Sequence, residues 1–132
     1  MPTRGIRLNN PGNIEHGQPW LGLSTDQPDS RFCQFDKPEY GIRAISKIIR
    51  NYHSKYGLTT IEEIISRWAP PQENPTQEYI NNVAVKAGKD AEASIDFSDS
   101  NVMLGIIKGI ITQENGSQPY ADDLILSGIN MA

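Results

Sequence analysis

With 132 residues, the chain has the size of one domain that can bury a core without disulfide or metal staples. Its hydrophobic fraction of 37% and charged fraction of 21% are ordinary for a globular fold and exclude a disordered chain. A formal net charge of −4 argues against nucleic acid as the main partner and also sits poorly with an anionic polymer. Basic charge is nevertheless gathered early, at Arg4, Arg7, Arg31, Lys37, Arg43, Lys47 and Arg50.

Cys33 is the one cysteine, so no intramolecular disulfide can form, which suits folding in a reducing cytoplasm. Met1 to Gly5 lead into polar residues, so no signal peptide is expected. No stretch approaches the length of a membrane span, and no membrane insertion is expected.

In chain order, residues 1–35 carry turn signals rather than periodicity. Asn9-Asn10-Pro11-Gly12-Asn13 is a dense turn cluster. Two short extended pieces, near Asn13–Glu15 and Arg31–Phe35, are placed to pair as a small hairpin. A first helix is predicted from Pro38, whose missing N–H suits an opening turn. Ile42, Ile45, Ile49 and Tyr52 follow at helical spacing, and Gly57 stops it. Thr60 with Glu63 forms a capping-box pattern for a second helix carrying Ile61, Ile64, Ile65 and Trp68, which Pro70-Pro71 ends.

A third helix is predicted with Asn74 as cap and Pro75 in the first turn. It carries Tyr79, Ile80, Val83, Ala84 and Ala87, and Gly88 closes it. Residues 89–98 read as a polar linker. Ser98 is the predicted cap of the most apolar helix, with Val102, Met103, Leu104, Ile106, Ile107, Ile110 and Ile111. Being apolar around much of its circumference, this helix should sit centrally. It runs out at Glu114-Asn115-Gly116. A last helix is expected from about Tyr120 to Ile129. The predicted fold is mainly α, with about five helices and a loop-rich N-terminal part.

Glu114 is the first candidate for chemistry. The apolar helix delivers it from the interior to a turn, where partial desolvation favours the protonated form. The negative end of the helix dipole acts in the same sense. A glutamic acid able to give up a proton near neutral pH is what glycoside cleavage requires. An ordinary polar helix end fits the same pattern. The Asn9, Asn10 and Asn13 amides suit the hydroxyl and N-acetyl groups of a sugar, and equally a plain turn. Trp20 and Tyr40 suit stacking on sugar rings, or packing in the fold. His16 and His53 are isolated and show no metal-ligand spacing, so no metal is expected. Nor is any organic cofactor implied, since no glycine-rich phosphate loop occurs. Cys33 reads as a small buried residue.

Arg4-Gly5-Ile6-Arg7, Asn9-Asn10-Pro11-Gly12-Asn13-Ile14 and Trp20-Leu21-Gly22 together resemble the start of phage virion-associated and prophage lysozyme-like proteins. The resemblance continues through Phe32, Phe35, Pro38-Glu39-Tyr40-Gly41-Ile42-Arg43-Ala44, Arg67-Trp68-Ala69-Pro70-Pro71, Glu73-Asn74 and Tyr79, and ends with Glu114-Asn115-Gly116 and Pro119-Tyr120. It covers nearly the whole chain. Such proteins are usually labelled as phage structural or cell-wall-degrading. Asn10 to Ile14, Trp20-Leu21-Gly22 and Phe35 are also distantly similar to bacterial glucosaminidases of the lysozyme superfamily. There a Glu-bearing helix precedes the asparagine motif. Here none is predicted before it, and a helix ending in Glu114 follows at the far end, as a circular permutation would leave it.

The resemblance implies a lysozyme-like fold and cleavage of peptidoglycan glycan strands, as a muramidase or a lytic transglycosylase, with Glu114 as general acid. It implies Asn9, Asn10, Asn13, Trp20, Tyr40 and Tyr79 as substrate contacts, and peptidoglycan and other phage virion proteins as partners. Action would be at the cell wall, from a phage particle or as a delivered effector. An inverting hydrolase needs a second carboxylate roughly 6.5–9.5 Å away to activate water. Glu15, Glu39 and Glu73 are the candidates, whereas a lytic transglycosylase needs only one. The alternative is a non-enzymatic virion structural or glycan-binding module that keeps the fold.

Overall fold

The computed structural model describes residues 2–72 and 74–132. Among them are six helices: α1 (Arg4–Arg7), α2 (Pro38–Tyr56), α3 (Ile61–Trp68), α4 (Thr76–Ala87), α5 (Ser100–Asn115) and α6 (Asp122–Asn130). The core is built largely of isoleucine, with Ile42, Ile45 and Ile49 of α2 meeting Ile106, Ile107, Ile110 and Ile111 of α5. As its apolar circumference predicts, α5 is central and packs against α1, α2, α4 and α6. Its closest neighbour is α4. A Cβ on Gly109 would lie 2.9 Å from the Val83 Cα, and one on Gly105 2.7 Å from the Ala87 Cα. Only side-chain-free positions one turn apart allow backbones this near.

The helix ends follow their local chemistry. Gly57, Gly88 and Gly116 close α2, α4 and α5 with φ of 67°, 66° and 75°, the left-handed cap conformation. Thr60 caps α3 by accepting the Glu63 N–H at 3.1 Å. The reciprocal bond goes one residue further back than a standard capping box. Glu63 Oε1 takes the Thr59 N–H at 2.9 Å.

Several sequence expectations shift. The N-terminal part holds a one-turn helix, α1, where only loop was predicted. The predicted hairpin is reduced to isolated antiparallel bridges, Glu15 with Phe32 and Leu23 with Phe35. Asp99, not Ser98, caps α5, because its carboxylate accepts the Asn101 and Val102 N–H groups while Ser98 bonds Asp96. Pro75, not Asn74, is the cap residue of α4; the Asn74 amide donates instead to the Pro70 carbonyl. The stretch read as a polar linker sends Ile95 and Phe97 into the core and pairs Ser94 with Thr60. No helix among the described residues is long and apolar enough to cross a membrane.

Candidate functional site

The N-terminal loop is organised by one buried amide. Asn10 is fully buried, and its Nδ2 donates to the carbonyls of Ile14 and Cys33 while its Oδ1 accepts the Ile14 N–H, each at 2.9 Å. Three backbone groups that water cannot reach are thereby satisfied. Asn9, with φ of 55°, donates to the Phe35 carbonyl at 3.0 Å. Its own carbonyl lies against Gly41 of α2, where any Cβ would collide with it. Asn9 therefore seats the loop against α2 and Asn10 holds the loop together from within, and neither lines the cleft as the sequence reading expected.

That loop is tied to the end of α5. The Asn115 amide donates to the Pro11 carbonyl at 2.8 Å, and its Oδ1 accepts the Thr3 hydroxyl at 2.6 Å. The next two contacts create the site. Asn13 Nδ2 donates to Glu114 Oε1 at 3.0 Å. The Tyr79 hydroxyl donates to Glu114 Oε2 at 2.9 Å. Trp68 Nε1–H in turn donates to the Tyr79 oxygen at 2.9 Å. An indole nitrogen can only donate, so the phenol must accept there and spend its one hydrogen on Glu114. Burial, and then the nearby Glu114 charge, push the Tyr79 phenol far above its ordinary range, so it stays a donor.

Asn13 carries two local costs. Its φ is 52°, in the left-handed region, and its Oδ1 is buried without a partner among the described residues. Both accompany the placement of its Nδ2 on Glu114. The carboxylate is half-buried and opens on a cleft of about 340 Å³ lined by Asn13, Glu15, Phe32, Tyr52, Trp68 and Asn74. Across it, Glu15 is exposed and paired with Arg31 at 2.5 Å.

The remaining candidates fall as follows. Tyr79 is 2% exposed and touches Glu114 rather than the open cleft, so it positions the carboxylate instead of meeting a ligand. Glu39 sits in the first turn of α2 with its carbonyl against Gly128 of α6, away from the cleft. Tyr40 packs its ring on Gly22 and is likewise not a cleft residue. Trp20 lines the continuation of the cleft. Glu73 lies outside the described residues. Cys33 is buried, and burial pushes its thiol up.

Sequence reasoning missed the Trp68–Tyr79–Glu114 chain. Its signal was available: two aromatic side chains with polar tips on inward helix faces must find partners for those tips. A larger hollow, about 710 Å³, lies elsewhere, between α2, Phe97 and the end of α6. It has no acidic side chain in its wall, and its Arg50 is spent on the carbonyls of Phe97, Ile129 and Ala132. The Glu114 cleft is therefore the better site for proton chemistry.

No protein-family model matches the chain. It is 43% identical over 130 residues to Protein P5 of Pseudoalteromonas phage PM2, an alignment that covers 96% of this chain and 79% of that protein. At that identity and extent, the chain belongs to the family of this phage protein.

Proposed function

We propose that this member of a phage protein family engages bacterial cell-wall glycan in the Glu114 cleft and that Glu114 protonates the glycosidic oxygen. The observation that carries the reading is the aimed carboxylate. Glu114 is held at both oxygens by Asn13 and Tyr79, on the wall of a polar cleft, at the end of an apolar helix. An unused helix-end glutamate needs no such support. The bonds to Glu114 join residues 101 and 35 positions apart, so the fold spends long-range contacts on one side chain. A lysozyme-like fold in permuted order fits the same contacts, because the Glu-bearing helix lies beside the asparagine loop although it follows it in sequence.

Glu15 is the other described carboxylate on this wall. Two chemistries use the pair differently. In inverting hydrolysis Glu15 would activate water, while in a lytic transglycosylase the sugar's own hydroxyl captures the intermediate and Glu114 serves alone. The test is release of muropeptides from purified peptidoglycan by wild type, Glu114→Gln and Glu15→Gln. Release that Glu114→Gln lowers by about 10²–10⁴-fold supports general acid catalysis. Anhydro ends with undiminished release by Glu15→Gln assign the single-carboxylate route.

A second reading is favoured by the phage origin of Protein P5. Here the chain is a virion component that holds glycan or neighbouring virion proteins without cutting. No release by wild type, with retention on wall material, would establish that reading over the first.

A further inference from the structure

The cleft does not end at Glu15. A hollow of about 620 Å³ shares the walls Ile14, Glu15, Ile48 and Tyr52 with it, so the two form one groove along the exposed side of α2 as far as Trp20. Its far part is made of cations and rings: Lys47, Lys55 and Arg67 with Trp20, Tyr52 and Tyr56. Lys47 and Lys55 stand about two turns apart on one face of α2. Arg67 comes from α3, its Cζ 3.8 Å from the Tyr56 ring centroid and 5.3 Å from that of Tyr52. Stacking on a ring fixes the guanidinium plane and leaves its in-plane N–H donors for a carboxylate.

Among the described residues, the ion pairs are Arg4–Asp29, Arg31–Glu15 and Lys108–Asp122, none of which uses these three cations. On a chain of net charge −4 they make a local patch of opposite sign.

We propose that this half of the groove is a carboxylate-recognising subsite for an N-acetylated glycan. The rings of Trp20 and Tyr56 support sugar faces, and Arg67, with Lys47 and Lys55, receives an acidic substituent. The inference rests on reading the Glu114 cleft as a glycan site. It also answers the objection that an acidic protein should avoid an acidic polymer. The carboxylate has two sources in wall glycan: the attached peptides, and the lactyl group of a sugar whose peptide has been removed, since a lactyl group that bears a peptide is an uncharged amide.

The test uses the full chain carrying Glu114→Gln, so that the matrices stay intact. Retention is measured on insoluble wall glycan with its peptides, on the same glycan stripped of peptides by an amidase, on chitin, which is N-acetylated but uncharged, and on single-stranded DNA cellulose. Retention on carboxylate-bearing glycan should exceed that on chitin at least tenfold. Adding Arg67→Gln should lower it about tenfold, the loss of one charge-assisted contact, and leave chitin unchanged. Lys55→Gln, at an exposed position, should lower it about two- to threefold and keeps the test valid if Arg67→Gln disturbs the tyrosine stack. Retention only with peptides assigns their carboxylates, retention that rises when the amidase frees the lactyl group assigns the sugar's, and equal retention on both assigns a subsite that takes either. Equal binding to chitin, indifference to both substitutions, or preference for DNA overturns the subsite. If glycans are retained but neither substitution matters, the subsite alone falls; if no glycan is retained, the reading of the cleft falls with it.

Discussion

Replacing Tyr79 by Phe removes one oxygen and breaks two bonds. The Trp68 indole N–H loses its acceptor and Glu114 Oε2 loses its donor. Tyr79 is 2% exposed, so water does not readily replace the hydroxyl. An orphaned donor costs about 1–3 kcal/mol when buried, and Trp68 is only partly buried, which places the loss near 1–2 kcal/mol. For a chain of this length, roughly 3–4 °C accompany each kcal/mol, so the melting temperature should fall by about 3–8 °C. Trp68→Phe supplies the control. In the double variant no N–H remains to be orphaned, so the two losses should fall short of additivity by about 1 kcal/mol. Thermal denaturation of the four proteins measures the cycle. An unchanged melting temperature for Tyr79→Phe, or strict additivity, would refute the relay. Glycan release or retention adds a second readout, since a purely structural tyrosine would leave it unaltered in the folded protein.

Asn10→Ala strips partners from three buried backbone groups and should destabilise by about 3 kcal/mol or more; a denaturant midpoint corresponding to less than about 1 kcal/mol would remove Asn10 as the organiser of the loop. Gly41→Ala puts a methyl against the Asn9 carbonyl, so α2 and the loop must separate; about 1–3 kcal/mol should be lost, together with glycan retention through displacement of Asn13. The Asp29 carboxyl is held far below the usual range, first by the Arg4 guanidinium and then by the Phe32 and Arg31 N–H groups. Its folded value lies below its unfolded one, so its contribution is present above the ordinary carboxylate range and fades on acidification. The melting temperature should therefore be level from neutral pH down to about 5 and decline below about 4, more steeply in wild type than in Asp29→Asn.

The helices were legible because isoleucine spacing, Gly57, Gly88 and the Thr60–Glu63 pair are local signals. Their boundaries moved where a competing side chain won. Asp99 took the α5 cap from Ser98 because its carboxylate reaches two N–H groups at once. Position in the last turn of the most apolar helix marked Glu114 only as a plausible carboxylate, and the resemblance made it the leading candidate. Its partners were not legible, because Asn13, Tyr79 and Trp68 come from three other segments, and which amide faces in or out depends on loop closure. Asn9, Asn10 and Asn13 look alike in the sequence. The left-handed turn at Asn13 sends its amide to Glu114, while Asn10, with the loop folded around it, serves the backbone.

This division has a consequence for how the site is maintained. Glu114 is aimed by Asn13, Asn13 sits on a loop whose shape depends on Asn10, and that loop is fastened to α5 through Asn115 one residue beyond Glu114. The loop thus positions the carboxylate and is itself anchored by the helix that bears it. Two neighbouring residues at the end of α5 divide the work: Asn115 turns inward to dock the loop and Glu114 faces the cleft. A helix places consecutive side chains about 100° apart, so one turn can serve both the core and the cleft. Loss of the inward residue should therefore disturb the outward one. Asn115→Ala would leave the buried Pro11 carbonyl unpaired and release the loop carrying Asn13, so its effect on glycan retention should follow that of Asn13→Ala even though Asn115 is buried behind the cleft wall.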